Sequence, residues 1–401
     1  MIWPIRKVPD AHDRPSPPRR ALYRAADRLP RLLPRALPPE PPIRLTDQLQ
    51  SLLSTADRAL GRLDGSIQTL PNPDLFVFMY VRKEAVLSSQ TEGTQSSLQD
   101  LLAAEAHMFT PDMPHDVDEV VNHVAATNYG LERLKELPLS VRLIREIHGR
   151  LLQGVRGARL TPGELRRSQN WIGPAGCSLN EASFVPPPPH EVPAMLGALE
   201  NFLHTDSSLP PLIQIGLAHA QFETIHPFLD GNGRVGRLLI TFLLCQRQIL
   251  PKPVLYLSHF FKQFRTEYDE HPQAVRDRGD WEGRLGFFLR GVAVVSHEAT
   301  ETARRILALR EQHRGAVTAS LGRAAANGHR ILEHLYQNPI ISVAGVQKLT
   351  GTTYTAADNI VSRLVGLDIL QEATGYRRNR LFRYQPYISI FGENTSREDG
   401  A

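Results

Sequence analysis

The sequence predicts a mainly α protein that ends in a small winged helix-turn-helix. Three observations carry this. Apolar residues recur every three or four positions through most of residues 45–310, the period of helices with one buried face. Strand-type alternation is nearly absent from that stretch. Over 325–390, three short helical segments precede a basic hairpin pattern around Gly375, the element order of a winged helix-turn-helix.

Residues 1–44 hold eleven prolines, ten Lys/Arg and four Asp/Glu, so a flexible Pro/Arg-rich tail is expected there. Leu45, Leu49, Leu52/Leu53, Ala56, Leu60 and Leu63 predict a first helix that stops at Gly65. A second helix runs from Pro73 to Gln90, with Gly93 as a left-handed C-terminal cap. Further helices are expected at 97–108, 115–135, 139–154, 191–203, 211–224, 232–247 and 280–312. The exception is SLNEASFVP (178–186), a short hairpin or flap ahead of four prolines. Residues 313–327 are small and polar and read as a linker. The chain thus divides into a tail (1–44), an N-terminal helical region (45–110), a core (111–312) and the C-terminal module (325–390).

With 401 residues, 41% hydrophobic and 22% charged, the chain suits two or three globular domains. It has no apolar run of about 18 residues, so no membrane contact is expected; GRLLITFLLC (236–245) reads as a buried helix. MIWPIRKVPD lacks the features of a secretory signal. Two cysteines, Cys177 and Cys245, without metal-ligand spacing point to a reducing, cytoplasmic setting. A net charge of +4 permits nucleic-acid contact without demanding it.

The chemistry concentrates in HPFLDGNGRVGR, residues 226–237. Gly231-Asn232-Gly233 feeds a helix N-terminus, where free N–H groups and the helix dipole favour anions. Asp230 beside this nest would repel phosphate unless a divalent cation lay between them, a role suited to Mg²⁺. Arg234 and Arg237 stand three apart, placed to grip terminal phosphates. His226 precedes the nest, and its ordinary pKa suits a general base. Base, anion nest, metal carboxylate and cation clamps together fit nucleotidyl or phosphoryl transfer.

HPFLDGNGRVGR resembles the signature of Fic proteins, HPFx[D/E]GNGRxxR, at every fixed position, and GELRRSQNWIG, FVPPPP, VLYLSHFFKQFRTEY and GDWEGRLGFFLRGV extend the resemblance over about 45–310. It implies a Fic-type helical bundle with a small β-hairpin flap, and a protein adenylyltransferase that moves AMP from ATP to a Tyr, Thr or Ser hydroxyl of a target protein, or of itself, releasing pyrophosphate. By the resemblance, His226 is the base and Asp230 the Mg²⁺ ligand. Gly231, Asn232 and Gly233 hold the α- and β-phosphates, and Arg234 and Arg237 the outer ones. Ser183, Phe184 and Val185 in the flap would bind the target by strand addition. Gln221 and Gln263 are candidates for the rest of the nucleotide pocket.

SSQTEG, residues 88–93, resembles the inhibitory pattern of the same family, [S/T]xxxE[G/N], as Ser88, Glu92 and Gly93. Glu92 is expected to pair bidentately with Arg237, consuming the donors a γ-phosphate needs. In some relatives the same glutamate assists removal of AMP.

For the C-terminal module, Arg377, Arg378, Arg380 and Arg383 with Tyr376, Phe382 and Tyr384 could meet DNA phosphates. Asp358 and Asp368 on the recognition helix favour protein docking or a homodimer over DNA. His219, His259 and His297 share no ligand spacing; Trp171, Trp281, Phe287 and Phe288 are expected in the core, and Tyr268 beside the nucleotide or in packing. Three functions compete: an autoinhibited adenylyltransferase, a Fic transferase of another phosphate-linked group, and a DNA-binding regulator whose core senses nucleotide. The third would require a degraded motif, and this one is complete.

Overall fold

The computed structural model describes residues 21–24, 30–70, 72–108, 113–173, 176–375 and 379–392. Strands β1 (Ala21–Arg24) and β2 (Pro30–Leu33) pair antiparallel. Helices follow: α1 (Asp47–Gln68), α2 (Pro73–Thr91), α3 (Leu98–Glu105), α4 (Val117–Arg133), α5 (Val141–Leu151), α6 (Val192–His204), α7 (Pro211–Ile225) and α8 (Asn232–Gln246). Next come α9 (Ser258–Gln263), α10 (Arg265–Arg278), α11 (Trp281–Leu321) and α12 (Ala325–Gln337). Strand β3 (Ile340–Ser342), helices α13 (Val343–Thr350) and α14 (Tyr354–Gly366), strands β4 (Gln371–Glu372) and β5 (Leu381–Arg383) and helix α15 (Gln385–Gly392) complete the chain. None of these helices is long and apolar enough to cross a membrane.

Local chemistry starts the helices where the sequence says. The Thr46 hydroxyl accepts the Leu49 N–H at 3.3 Å, and the Asn72 side chain caps α2 ahead of Pro73. α1 buries Leu49, Ala56, Leu60, Leu63 and Ile67 against α11. It runs through Gly65 to Gln68, because its apolar stripe continues to Ile67. α7 and α8 are buried on nearly every side, as an all-round apolar pattern requires. They form the centre of the bundle, and the turn between them is the 226–231 loop.

Two expectations fail. No linker separates core from C-terminal module: α11 continues through 313–321, and His313, Val317 and Leu321 are buried at intervals of four. Small residues such as Ala316 and Ala319 favour helix, and Gly322, at φ +55°, ends it. Part of the leader is also seated on the bundle. Gln221 donates to the Arg35 carbonyl at 2.8 Å, and Arg44 N–H to Glu282 at 2.8 Å.

The C-terminal module adds β3 to the expected hairpin, giving an antiparallel sheet in the order β3-β5-β4, with Ile341 opposite Phe382. Tyr336, Tyr384 and Tyr387 pack as its core, and His313 meets the Tyr384 hydroxyl at 2.7 Å. Phe382 and Tyr384, expected to interleave with wing arginines, are therefore core residues. Arg380 is paired with Asp358 at 2.7 Å. Tyr376, Arg377 and Arg378 lie outside the described residues.

Candidate active site

α7 ends on His226, which takes a left-handed conformation (φ 50°, ψ 61°) and donates its N–H to the Phe222 carbonyl at 3.0 Å. A non-glycine residue holds this region only when its surroundings enforce it. Arg166 does so. Its buried guanidinium donates to the carbonyls of His226 (2.9 Å), Ile225 (3.4 Å) and Pro187 (2.5 Å). Its N–H donates to Pro227 at 3.0 Å. Arg166 sits inside the quoted stretch GELRRSQNWIG, yet nothing in the sequence signals this role. Its replacement by methionine strands three buried carbonyls and should cost about 3 kcal/mol. The midpoint of urea unfolding measures that loss.

The His226 ring places Nδ1 3.4 Å from the Glu223 carbonyl. A carbonyl only accepts, so Nδ1 carries the hydrogen and Nε2 keeps its lone pair. Burial pushes the imidazole down to about 4, which leaves it neutral at neutral pH, with the Nε2 lone pair open to a proton though less basic than a free imidazole. Glu223 is itself fixed by Arg284 at 2.9 Å and by the Tyr268 hydroxyl. Tyr268 thus belongs to the packing behind the histidine.

The turn into α8 is locked from within. Gly231 caps the helix at φ +75°. The Asn232 side chain accepts the Phe228 N–H at 2.9 Å and donates to the Phe228 carbonyl at 2.8 Å. Its amide is committed to the loop, so only the backbone of Asn232 faces an anion. Asp230 accepts the Gly231 N–H at 2.7 Å, and a Cβ on Gly157 would come within 2.5 Å of its other oxygen. His148 accepts the Gly163 N–H at Nδ1 (2.8 Å), so its Nε2–H donates to the Asp230 carbonyl at 3.0 Å. Among the described residues no three His, Cys, Asp or Glu side chains group as a metal cluster.

The arginines part company. Arg234 turns inward to Glu119 at 3.0 Å, with Asp230 at 3.7 Å; it props the loop, and its charge still reaches Glu92. Arg237 donates to the Ser88 hydroxyl and carbonyl, each at 2.9 Å, and to Glu92 Oε1 at 2.7 Å. The Glu92 contact is therefore single, not bidentate. A Cβ on Gly233 would collide with Glu92 Oε1, so that carboxylate sits against the first turn of α8. Burial would push Glu92 up, but the Arg237 charge and hydrogen bond outweigh it and hold the carboxyl below its usual value. Arg156 and Arg265 tie the carbonyls of Glu92 (3.3 Å) and Thr91 (3.0 Å) at the end of α2.

Three positions do not join this cluster as expected. Gln221 is turned to the leader. Gln263 is exposed at the end of α9. Phe184 is buried, its ring 3.9 Å under the Arg276 guanidinium. Its N–H and carbonyl are consumed by Ile172 (3.0 and 2.8 Å), so the flap is a bridge between 172 and 184. Ser183 and Val185, on either side, carry the opposite edge of that bridge. Trp171 is 43% exposed and donates to the Cys177 carbonyl in the flap, while Trp281, Phe287 and Phe288 are core.

Glu84, two turns before Glu92 on α2, is buried against the Ser258 hydroxyl. Burial raises its carboxyl to about 7. A raised acid stabilises the fold below its unfolded value and loses that contribution as pH climbs through the folded one. Between roughly pH 5 and pH 8 the wild type should lose about 3 kcal/mol more stability than Glu84→Gln, at 1.36 kcal/mol per pH unit. Chemical denaturation at the two pH values reads the difference.

Two family profiles match the chain: the Fic/DOC family N-terminal region over residues 50–132 and the Fic/DOC family over residues 138–244. A protein adenylyltransferase Fic from Drosophila willistoni is 32% identical over 145 residues, 35% of this chain and 27% of that one. One from Drosophila persimilis is 29% identical over 202 residues, 47% of this chain and 37% of that one. The chain thus spans well under half the length of these curated relatives. Among solved structures, a Fic family protein from Desulfovibrio desulfuricans G20 superposes with a TM-score of 0.56 at 17% identity, covering 86% of this chain and 97% of that one. A Fic domain containing signaling protein from Bacteroides thetaiotaomicron VPI-5482 gives 0.50 at 20% identity, covering 64% and 95%. These likenesses establish the fold.

Proposed function

Because the chain belongs to the Fic/DOC family through residues 50–132 and 138–244, we propose that it is a protein adenylyltransferase held inactive by its own Glu92. One observation carries the reading. A carboxylate of the protein occupies the anion cradle at the first turn of α8, bound by Arg237 at 2.7 Å. That carboxylate stands where a phosphate oxygen would bind.

In the active state, the backbone N–H groups of Asn232 and Gly233, and that of Gly231 once released by Asp230, receive the phosphates of ATP, and Arg237, freed from Glu92, takes the outermost one. Nε2 of His226 accepts the proton of a hydroxyl on the target. The hydroxyl oxygen bonds to the α-phosphorus, the bond from that phosphorus to the bridging oxygen breaks, and pyrophosphate leaves. Asp230 offers one carboxylate at the cradle, a donor set that fits Mg²⁺ arriving with the triphosphate; the ion would neutralise phosphate charge. Ser183 and Val185 present the flap edge on which an extended target segment adds as a strand.

The C-terminal module is a winged helix by element order, and it serves docking rather than DNA. Its wing cation Arg380 is neutralised by Asp358, and Phe382 and Tyr384 are buried.

Intact-mass measurement of the purified protein incubated with Mg-ATP tests the activity. The expected result is a mass gain equal to adenylate on a hydroxyl side chain. A gain equal to phosphate would point to a different donor chemistry.

A further inference from the structure

The outer face of α2 borders a groove of ≈ 580 Å³ that the active site does not use. Volumes of this order hold small ligands. Two helix stripes face each other across it. α2 presents Lys83, Val86, Leu87 and Gln90, and α15 presents Gln385, Ile388, Ser389 and Gly392, both at the three-and-four spacing of one helix face. Val86, Leu87, Ile388 and Phe391 make an apolar floor.

The rim is one-signed. Lys83 and Lys262 line the groove, and among the described residues no aspartate or glutamate does. Lys262 donates to Gln90 at 2.9 Å. Lys83 makes no hydrogen bond or ion pair among the described residues, and burial depresses its pKa, with Glu298 as the opposing charge that it feels. The first residues of α3, Leu98 and Gln99, and its cap Ser97 also open onto the groove. The amides of that helix start are closed by the Ser97–Asp100 capping box, so the two lysines alone supply the positive charge.

We propose that this groove binds a small amphipathic anion: an apolar body on the Val86–Phe391 floor and one anionic head between Lys83 and Lys262. Leu87 is next to Ser88, and Gln90 is two residues before Glu92, the C-cap of the same helix, so an occupant bears directly on the segment that holds Arg237. Binding there shifts the position of the α2 terminus. This consequence rests on the reading of Glu92 as a brake; the existence of the site does not.

Titration of the full chain with the fluorescent probe anilinonaphthalene sulfonate tests the site. The expected result is saturable, single-site enhancement that weakens about tenfold in the Lys83→Gln/Lys262→Gln double variant, the loss of charge-assisted contacts. Ser389→Trp, which fills the groove, should abolish it. Equal affinity in all three proteins, or enhancement that never saturates, overturns the proposal. Hydrogen exchange of the amides of 88–93 tests the coupling without any enzymatic readout. Saturating probe should change their exchange about tenfold, a typical coupling between two sites, and should leave the Ser389→Trp variant unchanged. No change at saturation refutes the coupling. Absence of adenylate transfer in every variant would instead count against the catalytic reading alone.

Discussion

Glu92→Gly is expected to raise adenylate transfer by about a hundredfold, the scale of correcting a reactant misplaced by about 1 Å. In the resting protein the Glu92 carboxylate is 2.7 Å from Arg237 and lies against Gly233. On the proposed reading, a γ-phosphate could not share those donors with it, and a bound triphosphate would be displaced from the geometry in which its α-phosphorus meets the target oxygen. Removing the side chain clears the cradle without dismantling it, because Arg237 keeps both contacts to Ser88 at 2.9 Å. Glu92 has φ −94° at the end of α2, a conformation open to any residue, so the substitution should leave the fold intact. Self-labelling with ATP carrying a radioactive α-phosphate measures the gain. Equal or weaker labelling in a variant of unchanged circular dichroism would remove Glu92 from its role.

His226→Ala in the Glu92→Gly background should then lower transfer by about 10²- to 10⁴-fold, the usual contribution of a general base, while ATP binding persists. The cradle is backbone, anchored by Asn232 and Arg166, and the imidazole contributes nothing to its geometry beyond its own ring. The pH dependence carries the same signature. With the histidine pushed down to about 4, kcat/KM should stay level as pH falls through the ordinary histidine range of about 6.5. Full transfer by the alanine variant, or an acid limb centred near 6.5, would contradict the assignment of Nε2 as base.

The periodic α1, α2, α7 and α8 and the α2 terminus at Glu92-Gly93 were legible because each is written locally, in apolar spacing, caps and a glycine at φ +98°. What was not legible is long-range. Glu119 meets Arg234 across 115 positions, and no pattern near either residue announces the other. That pairing is why Arg234, the first arginine of the motif, props the loop. Arg166 is similar, since its purpose is visible only once His226 is seen in a left-handed turn. Gln221 was read from its place one turn before His226, but that helix face meets the leader. The continuation of α11 past residue 312 was missed because small residues suit both linkers and helices, and only burial of His313, Val317 and Leu321 decides between them.

A crystal structure of the Glu92→Gly variant with Mg²⁺ and a non-hydrolysable ATP analogue tests the central claim most directly. The triphosphate should lie along the N–H groups of 231–233, with its outer phosphate on Arg237 and its α-phosphorus facing Nε2 of His226. Nucleotide bound elsewhere, with the cradle empty and no phosphate on Arg237, would contradict the account.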